Sequence, residues 1–81
     1  MRYLIDDHRH LVCLPYSIEN LHIMAADLGI KRCWFHYRKQ GYGHHYDIPL
    51  RRVAEIRAKT EHITGRQFLA IVKGEFDDSV P

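Results

Sequence analysis

Short apolar runs alternate along this chain with longer segments whose apolar residues recur at helical spacing. A run of about four apolar residues fits a strand better than a helix. The runs predict strands over 3–6, 11–14, 32–37, 44–48 and 60–63, and the periodic segments predict helices over 18–28, from Pro49 onward and over 65–73. The order β-β-α-β-β-α-β-α is typical of an α/β fold, here a small mixed sheet of three to five short strands with about three helices packed on it.

The predicted helices have recognisable end signals. Ser17 precedes the first periodic segment as an N-cap, and Gly29 follows it as a C-terminal stop. Thr64 and Gln67 stand three residues apart, which is the spacing of a capping box, and Gly74 ends the third helix. These signals predict where the first and third helices begin and end.

The length of 81 residues leaves room for one domain. We place this domain over residues 1–74 and expect residues 75–81, an acidic segment, to form a frayed C-terminal tail. The chain has no apolar stretch of about 20 residues, and its first apolar run is shorter than a secretory signal requires. We therefore expect no membrane partner and a cytoplasmic location, which is the host cytoplasm if the protein is phage-encoded. Cys13 and Cys33 lack the spacing of a zinc motif and are expected to be reduced, buried thiols.

Positive charge is concentrated in the middle of the chain. Residues 31–59 carry eight of the 12 lysines and arginines but only two of the 10 acidic residues. Aromatic residues and glycines lie among these cations, a combination that suits a partner with phosphates and bases. It is equally the composition of a solvated cationic face beside core aromatics. The candidate ligand-binding residues are Arg32, Arg38, Lys39, Tyr42, His45 and Arg51.

A second set of candidates is acidic. Asp6 ends the first predicted strand and Asp47 lies in the fourth, and ligands gather at strand ends in α/β sheets. Two such carboxylates are candidate ligands for Mg²⁺ or Mn²⁺, and a bound ion of this kind activates water against a phosphodiester. Both aspartates are also ordinary turn and strand-edge residues.

The candidate catalytic residues are His45, Asp47 and His22. His44 and His45 are adjacent in an extended segment, so their side chains point to opposite faces. His45 and Asp47 then share one face as a histidine–carboxylate pair, with Tyr46 on the other. His22 flanks the apolar stripe of the first helix, where a hydrogen-bonded boundary residue is the commoner outcome.

Several motifs, taken in order, resemble a family of short bacterial and phage proteins that is a domain of unknown function. The resemblance rests on Leu4-Ile5-Asp6-Asp7, Leu21-His22, Leu28-Gly29, Trp34-Phe35 and His45-Tyr46-Asp47. It covers about residues 3–72 and implies no activity. The chain has Asn20 where the family usually shows glutamate, and Cys13-Leu14 where it tends to show a histidine and an apolar residue.

Three functions are consistent with these features. The first is an accessory protein that binds a phosphate-bearing ligand, either nucleic acid or a nucleotide, through residues 31–59. The second is a metal-dependent nuclease or phosphoesterase that uses Asp6, Asp47 and His45. The third is a phage factor that binds a host protein without a pocket, and a chain this short is also a candidate homodimer. The sequence does not decide whether the protein is an enzyme.

Overall fold

The structure, a computed structural model, describes residues 1–77. Within them the chain forms five strands, three α-helices and one short 3-10 turn. The elements are β1 (Arg2–Ile5), β2 (His10–Leu14), α1 (Ile18–Leu28), the 3-10 turn (Arg32–Trp34), β3 (Phe35–His36), β4 (His45–Asp47), α2 (Leu50–Arg57), β5 (Glu61–His62) and α3 (Gly65–Val72). The predicted α/β fold and element order are confirmed.

The strands form one mixed sheet in the order β3-β4-β2-β1-β5. β5 pairs with β1 in parallel, and the other pairs are antiparallel. His10 on β2 lies opposite Asp47 on β4, and His36 on β3 lies opposite His45 on β4. Because directly paired residues share a face, and so do residues two apart on one strand, these four side chains lie on the same face.

Helices cover both faces of the sheet. On β4, Tyr46 contacts the ring of His22 from α1, and the neighbouring His45 contacts the ring of Phe68 from α3. Adjacent strand residues point to opposite faces, so α1 and α3 lie on opposite sides of the sheet. The core between these layers consists of buried apolar side chains that include Leu4, Ile5, Leu11, Val12, Leu21, Met24, Tyr46, Ile56, Phe68 and Ile71.

The helix ends follow the sequence signals. The Ser17 side chain accepts a hydrogen bond from the backbone N–H of Asn20, and Gly29 closes α1 at φ 68°, a conformation that suits glycine. Thr64 and Gln67 form the complete capping box of α3. The second helix is held differently, because Arg52 donates to the carbonyls of Leu28 and Gly29 at the end of α1.

Four local expectations need correction. Residues 32–37 do not form one strand, because a 3-10 turn occupies Arg32–Trp34. Cys33, expected to be buried, is exposed in this turn, whereas Cys13 is buried.

The other two corrections concern burial. The apolar pattern of the second helix predicts that Leu50 and Ile56 share its buried face, but only Ile56 is buried and Leu50 is 77% exposed. The glycines and polar residues of 38–47 predict an exposed segment without a core residue, yet Tyr46 is fully buried.

Two further expectations concern the tail and the membrane. In the predicted tail Phe76 packs against the core between the exposed residues Glu75 and Asp77, and residues 78–81 lie outside the described part of the chain. No helix within residues 1–77 has the length and apolar character needed to cross a bilayer.

Candidate metal centre

His10, His45 and Asp47, here called the histidine–aspartate cluster, meet on the α3 face of the sheet. His10 opens β2, and the other two residues begin and end β4. The pairing of His10 with Asp47 brings the two strands together at this point. His45 is buried and its two partners are half-buried, so the cluster lies at the boundary between core and solvent.

Each histidine of the cluster has its Nδ1 fixed by an acceptor. His10 Nδ1 lies 2.8 Å from Oδ2 of Asp6, and His45 Nδ1 lies 2.7 Å from the carbonyl oxygen of Gly43. A carboxylate and a carbonyl only accept hydrogen bonds, so the Nδ1 atom of each neutral ring carries the proton. The Nε2 atom of each ring is then left with a lone pair.

Three acceptor atoms therefore converge. Nε2 of His45 lies 3.3 Å from Oδ1 of Asp47, and Nε2 of His10 lies 4.0 Å from the same oxygen. All three atoms lie within 4.8 Å of one another. Lone pairs that face one another repel, so this arrangement favours a positive charge between them.

Burial disfavours the charged form of one of the rings. Desolvation lowers the pKa of His45 below its ordinary value, although the hydrogen bond to the Gly43 carbonyl and the charge of Asp47 act in the opposite direction. A neutral imidazole with a free Nε2 is the form that binds a metal ion. Among the described residues this cluster is the one group of three or more suitable side chains close enough to share an ion.

The separations are near those of a metal site. An ion with bonds of about 2.0–2.2 Å holds its ligand atoms about 3.4 Å apart in tetrahedral geometry. The two contacts to Asp47, at 3.3 Å and 4.0 Å, lie on either side of this value, and no pair of the three atoms is more than 4.8 Å apart. An ion bound by all three would draw the wider pairs together through side-chain rotation.

Neighbouring groups hold the cluster in place. The ring of Phe68 stacks on His10 with centroids 4.5 Å apart and meets His45 edge-on at 5.4 Å. Nε2 of His36 lies 2.7 Å from the second oxygen of Asp47, and its ring stacks on His45. Asp47 is thus positioned through both oxygens, and a half-exposed third histidine stands at the rim.

Two hollows meet at His10. The first, about 450 Å³, is also lined by His8, Arg9, Trp34 and Asp47. The second, about 270 Å³, is also lined by Arg38, Tyr42, His45 and Lys73. The linings of both hollows therefore include cationic side chains, which favour an anionic ligand.

The predicted acidic and catalytic residues separate into three positions. His45 and Asp47 share a face, as the period of the strand predicted. Asp6 and Asp47 contact opposite nitrogens of the His10 ring, so the geometry favours an orienting role for Asp6 over the predicted metal-binding role. His22 lies on the other face, where its Nδ1 is 2.7 Å from the hydroxyl of Tyr46. The structure therefore does not bring His22 to the cluster.

The predicted ligand-binding residues are also divided between the two hollows and the rest of the surface. Arg38 and Tyr42 line the second hollow. Arg51 lies near Trp34, which lines the first hollow. Among the described residues, Arg32 and Lys39 line neither hollow, and both are exposed.

His10 and His36 are not among the candidates predicted from the sequence. His8-Arg9-His10 has the composition of a polar turn between the first two predicted strands, and His36 lies among the aromatic residues of the third. Both residues reach the site through strand pairing between distant segments. The available signal was the alternation His10, Val12, Leu14 along β2, which places His10 on one face of that strand.

Fold and site together define a small mixed α/β domain with a histidine–aspartate cluster on one face of its sheet. The family described as "Protein of unknown function (DUF4031)" matches residues 5–75, and the chain belongs to this family. The resemblance inferred from the sequence to a domain of unknown function is thereby confirmed. The matched span includes the cluster together with Asp6 and His36. No curated protein and no solved structure matches the chain.

Proposed function

We propose that this protein is a metal-dependent phosphoesterase whose ion is held by Nε2 of His10, Nε2 of His45 and Oδ1 of Asp47. The supporting observation is the convergence of these three acceptors while both Nδ1 protons are engaged elsewhere. Orientation of a liganding imidazole by a carboxylate or carbonyl is the usual arrangement around protein-bound metals. Three protein ligands leave positions for water and substrate.

The donor set favours a transition metal. Imidazole nitrogens suit zinc and iron, whereas Mg²⁺ prefers oxygen ligands in near-ideal octahedral geometry. Mn²⁺ accepts carboxylate and water ligands and remains compatible with a mixed set. Of the two ions suggested by the sequence, Mn²⁺ therefore fits this cluster better than Mg²⁺, and Zn²⁺ joins it as a candidate.

The charge around the cluster supports a phosphate-bearing substrate. Arg9 lines the first hollow, and Arg38 and Lys73 line the second. Guanidinium groups bind two phosphate oxygens at once, and an ammonium adds a point charge. A substrate phosphate at the cluster would thus have cations on two sides.

Different residues of the chain would have different roles in the hydrolysis. The bound ion would supply Lewis acidity and a water of lowered pKa. Asp6 and Gly43 hold the two imidazoles in their liganding tautomer. Arg9 and Arg38 would neutralise the non-bridging oxygens as water oxygen bonds to phosphorus and the ester P–O bond breaks. His36, which is half-exposed beside Asp47, would accept the proton that the attacking water loses and deliver it to the departing oxygen.

Thermal unfolding with added ions tests the metal centre. An ion at a hundred times its dissociation constant stabilises the folded state by about 2.7 kcal/mol. For a domain of this size the expected rise in Tm is about 10–20 °C with Zn²⁺ or Mn²⁺. Asp47→Asn should remove this rise. Asp7→Asn is the matched control, because Asp7 also pairs with a histidine, His62 at 2.7 Å, but away from the cluster.

Hydrolysis of bis(p-nitrophenyl) phosphate by the metal-loaded protein tests the reaction. The proposal predicts cleavage that a chelator stops, that Asp47→Asn abolishes and that Asp7→Asn leaves intact. An unchanged Tm with every ion would contradict the metal centre. A large Tm rise without hydrolysis of any phosphodiester would contradict the esterase, and the binding function of residues 31–59 would then replace it.

A further inference from the structure

Trp34 lines the first hollow together with two members of the cluster, His10 and Asp47. It is half-buried at the end of the 3-10 turn and packs partly against the core, so its indole is held by the fold while part of it faces the hollow. A fixed aromatic surface beside a phosphate-binding centre has the arrangement on which nucleobases stack.

Two cationic side chains lie near this indole. The guanidinium carbon of Arg51 lies 5.7 Å from the ring centroid, and Nζ of Lys31 lies 5.8 Å from it. Both distances are close to the outer limit of about 6 Å for a cation–π contact. Arg51 and Lys31 are exposed. The two side chains can therefore move aside for a stacked base, or turn toward a phosphate beside it.

Arg9 adds a cation to the lining of the first hollow. Its guanidinium lies 3.5 Å from the carbonyl of Ile48. Its backbone has φ 68°, the left-handed region that an arginine rarely adopts. The backbone N–H of Ile48 donates to the Arg9 carbonyl and helps to hold this conformation. Strained residues of this kind concentrate at ligand sites.

We propose that the first hollow binds a nucleoside phosphate, with the base stacked on Trp34 and the phosphate between Arg9 and the histidine–aspartate cluster. This inference names the substrate class of the proposed phosphoesterase and rests on that function. The volume of about 450 Å³ lies within the range of about 300–1,000 Å³ that small-ligand sites occupy. A simple phosphate or sugar phosphate has no base to stack on the indole.

The chain has one tryptophan, so fluorescence excited at the long-wavelength edge of indole absorption, where the five tyrosines do not absorb, reports on Trp34 alone. Adenosine 5′-monophosphate titrated into the Zn²⁺-loaded protein should quench this fluorescence to saturation. Ribose 5-phosphate and inorganic phosphate, which lack a base, should bind more weakly and quench little. An adenine oligonucleotide in a parallel titration distinguishes a free nucleotide from a nucleotide within a strand, because the tighter binder identifies the source.

Calorimetry of variants locates the base. Stacking on an aromatic ring contributes enough that Trp34→Leu should weaken nucleotide affinity by about 5-fold to 150-fold. Trp34→Phe should keep most of the affinity and shows that the loss is not a folding defect. Tyr37→Leu is the matched control, because Tyr37 is an exposed aromatic residue that lines neither hollow, and it should leave nucleotide affinity unchanged. Tyr42→Leu asks instead whether the base lies in the second hollow.

The outcomes separate this inference from the proposed function. Equal affinity for adenosine 5′-monophosphate and ribose 5-phosphate, or full affinity in Trp34→Leu, overturns the base site while the Zn²⁺-induced Tm rise still stands. A loss of affinity in Tyr42→Leu instead would place the base in the second hollow and overturn the inference. Saturable quenching by the nucleotide without any Tm rise from metal ions supports the base site and contradicts the metal centre alone.

Discussion

Asp6 and His10 are joined by a contact of 2.8 Å between Oδ2 of the carboxylate and Nδ1 of the ring. Asp6 is fully buried, and its other oxygen accepts the backbone N–H groups of His8 and His10, each at 2.9 Å. One carboxylate therefore fixes both the turn between β1 and β2 and the ring that we propose as a metal ligand. Fold stability and ligand orientation are coupled at this residue.

Asp6→Asn tests this coupling. The amide retains one acceptor oxygen, but its NH₂ group faces donors, so at least one hydrogen bond is lost. We expect Zn²⁺ affinity to fall about 10-fold to 100-fold, as for other residues that orient metal ligands, and stability to fall by about 1–3 kcal/mol. Titration calorimetry and urea unfolding measure the two effects. Asp27→Asn, which changes an exposed carboxylate bonded to Tyr3, should leave Zn²⁺ affinity intact.

Arg9 provides a test of backbone strain. Glycine adopts φ 68° without the cost that a Cβ atom imposes, so Arg9→Gly should be more stable than Arg9→Ala by about 1 kcal/mol. Both variants lose the guanidinium and should bind phosphate more weakly. Arg66, exposed on α3, is the control, because helical backbone favours alanine and the order of stability should reverse. Equal stability of the two Arg9 variants would show that the turn relaxes.

The second hollow predicts which cations contact phosphate. Arg38 and Lys73 line it, whereas Lys39 does not. Arg38→Ala combined with Lys73→Ala should weaken binding of a single-stranded oligonucleotide. It should also reduce the slope of log K against log salt by up to about 1.4, the value for two phosphate contacts. Lys39→Ala should change neither quantity. A similar loss in both proteins would indicate a diffuse cationic surface.

The pH dependence of stability should report on His22. Burial, reinforced by the positive charge of Arg32, lowers the pKa of this imidazole. The unfolded chain then binds its proton more readily than the folded protein. The neutral form of His22 therefore makes its full contribution to the stability of the folded protein above the unfolded pKa of about 6.5. This contribution is lost as the pH falls through the lower pKa of the folded state.

Urea unfolding of the metal-free protein from pH 7.5 to pH 5 checks this dependence. His22→Gln should lose less stability over this interval than the unmodified protein does. Ile23→Gln, which changes an exposed neighbour of His22 that carries no ionisable group, should follow the unmodified curve. A steeper loss in His22→Gln than in the unmodified protein would contradict the assigned sign.

Local signals account for the parts of the fold that the sequence predicted. The capping box at Thr64 and the glycine at position 29 act within a few residues, and so does the alternation that places His45 and Asp47 on one face. Local signals misled at α2, where Leu50 begins the helix but projects into solvent. The apolar pattern of a short helix does not determine which face of the helix will pack against the sheet.

The complete site could not be predicted, because it depends on strand register. His10 meets Asp47 only through the pairing of β2 with β4, and His36 meets His45 only through the pairing of β3 with β4. Thirty or more residues separate the first pair, and no local rule fixes which residues lie opposite. Asp6, by contrast, reaches Nδ1 of His10 through the short turn between β1 and β2, on the side of the ring away from Asp47.

Anomalous diffraction at the zinc edge, from crystals grown with Zn²⁺, tests the central claim most directly. The account predicts one strong peak per chain, at about 2.0–2.2 Å from Nε2 of His10, Nε2 of His45 and Oδ1 of Asp47. Asp47→Asn crystals grown in the same way should lose the peak, and Asp7→Asn crystals should keep it. A peak at the exposed Asp7–His62 pair with none at the cluster would contradict the account, as would the absence of any peak.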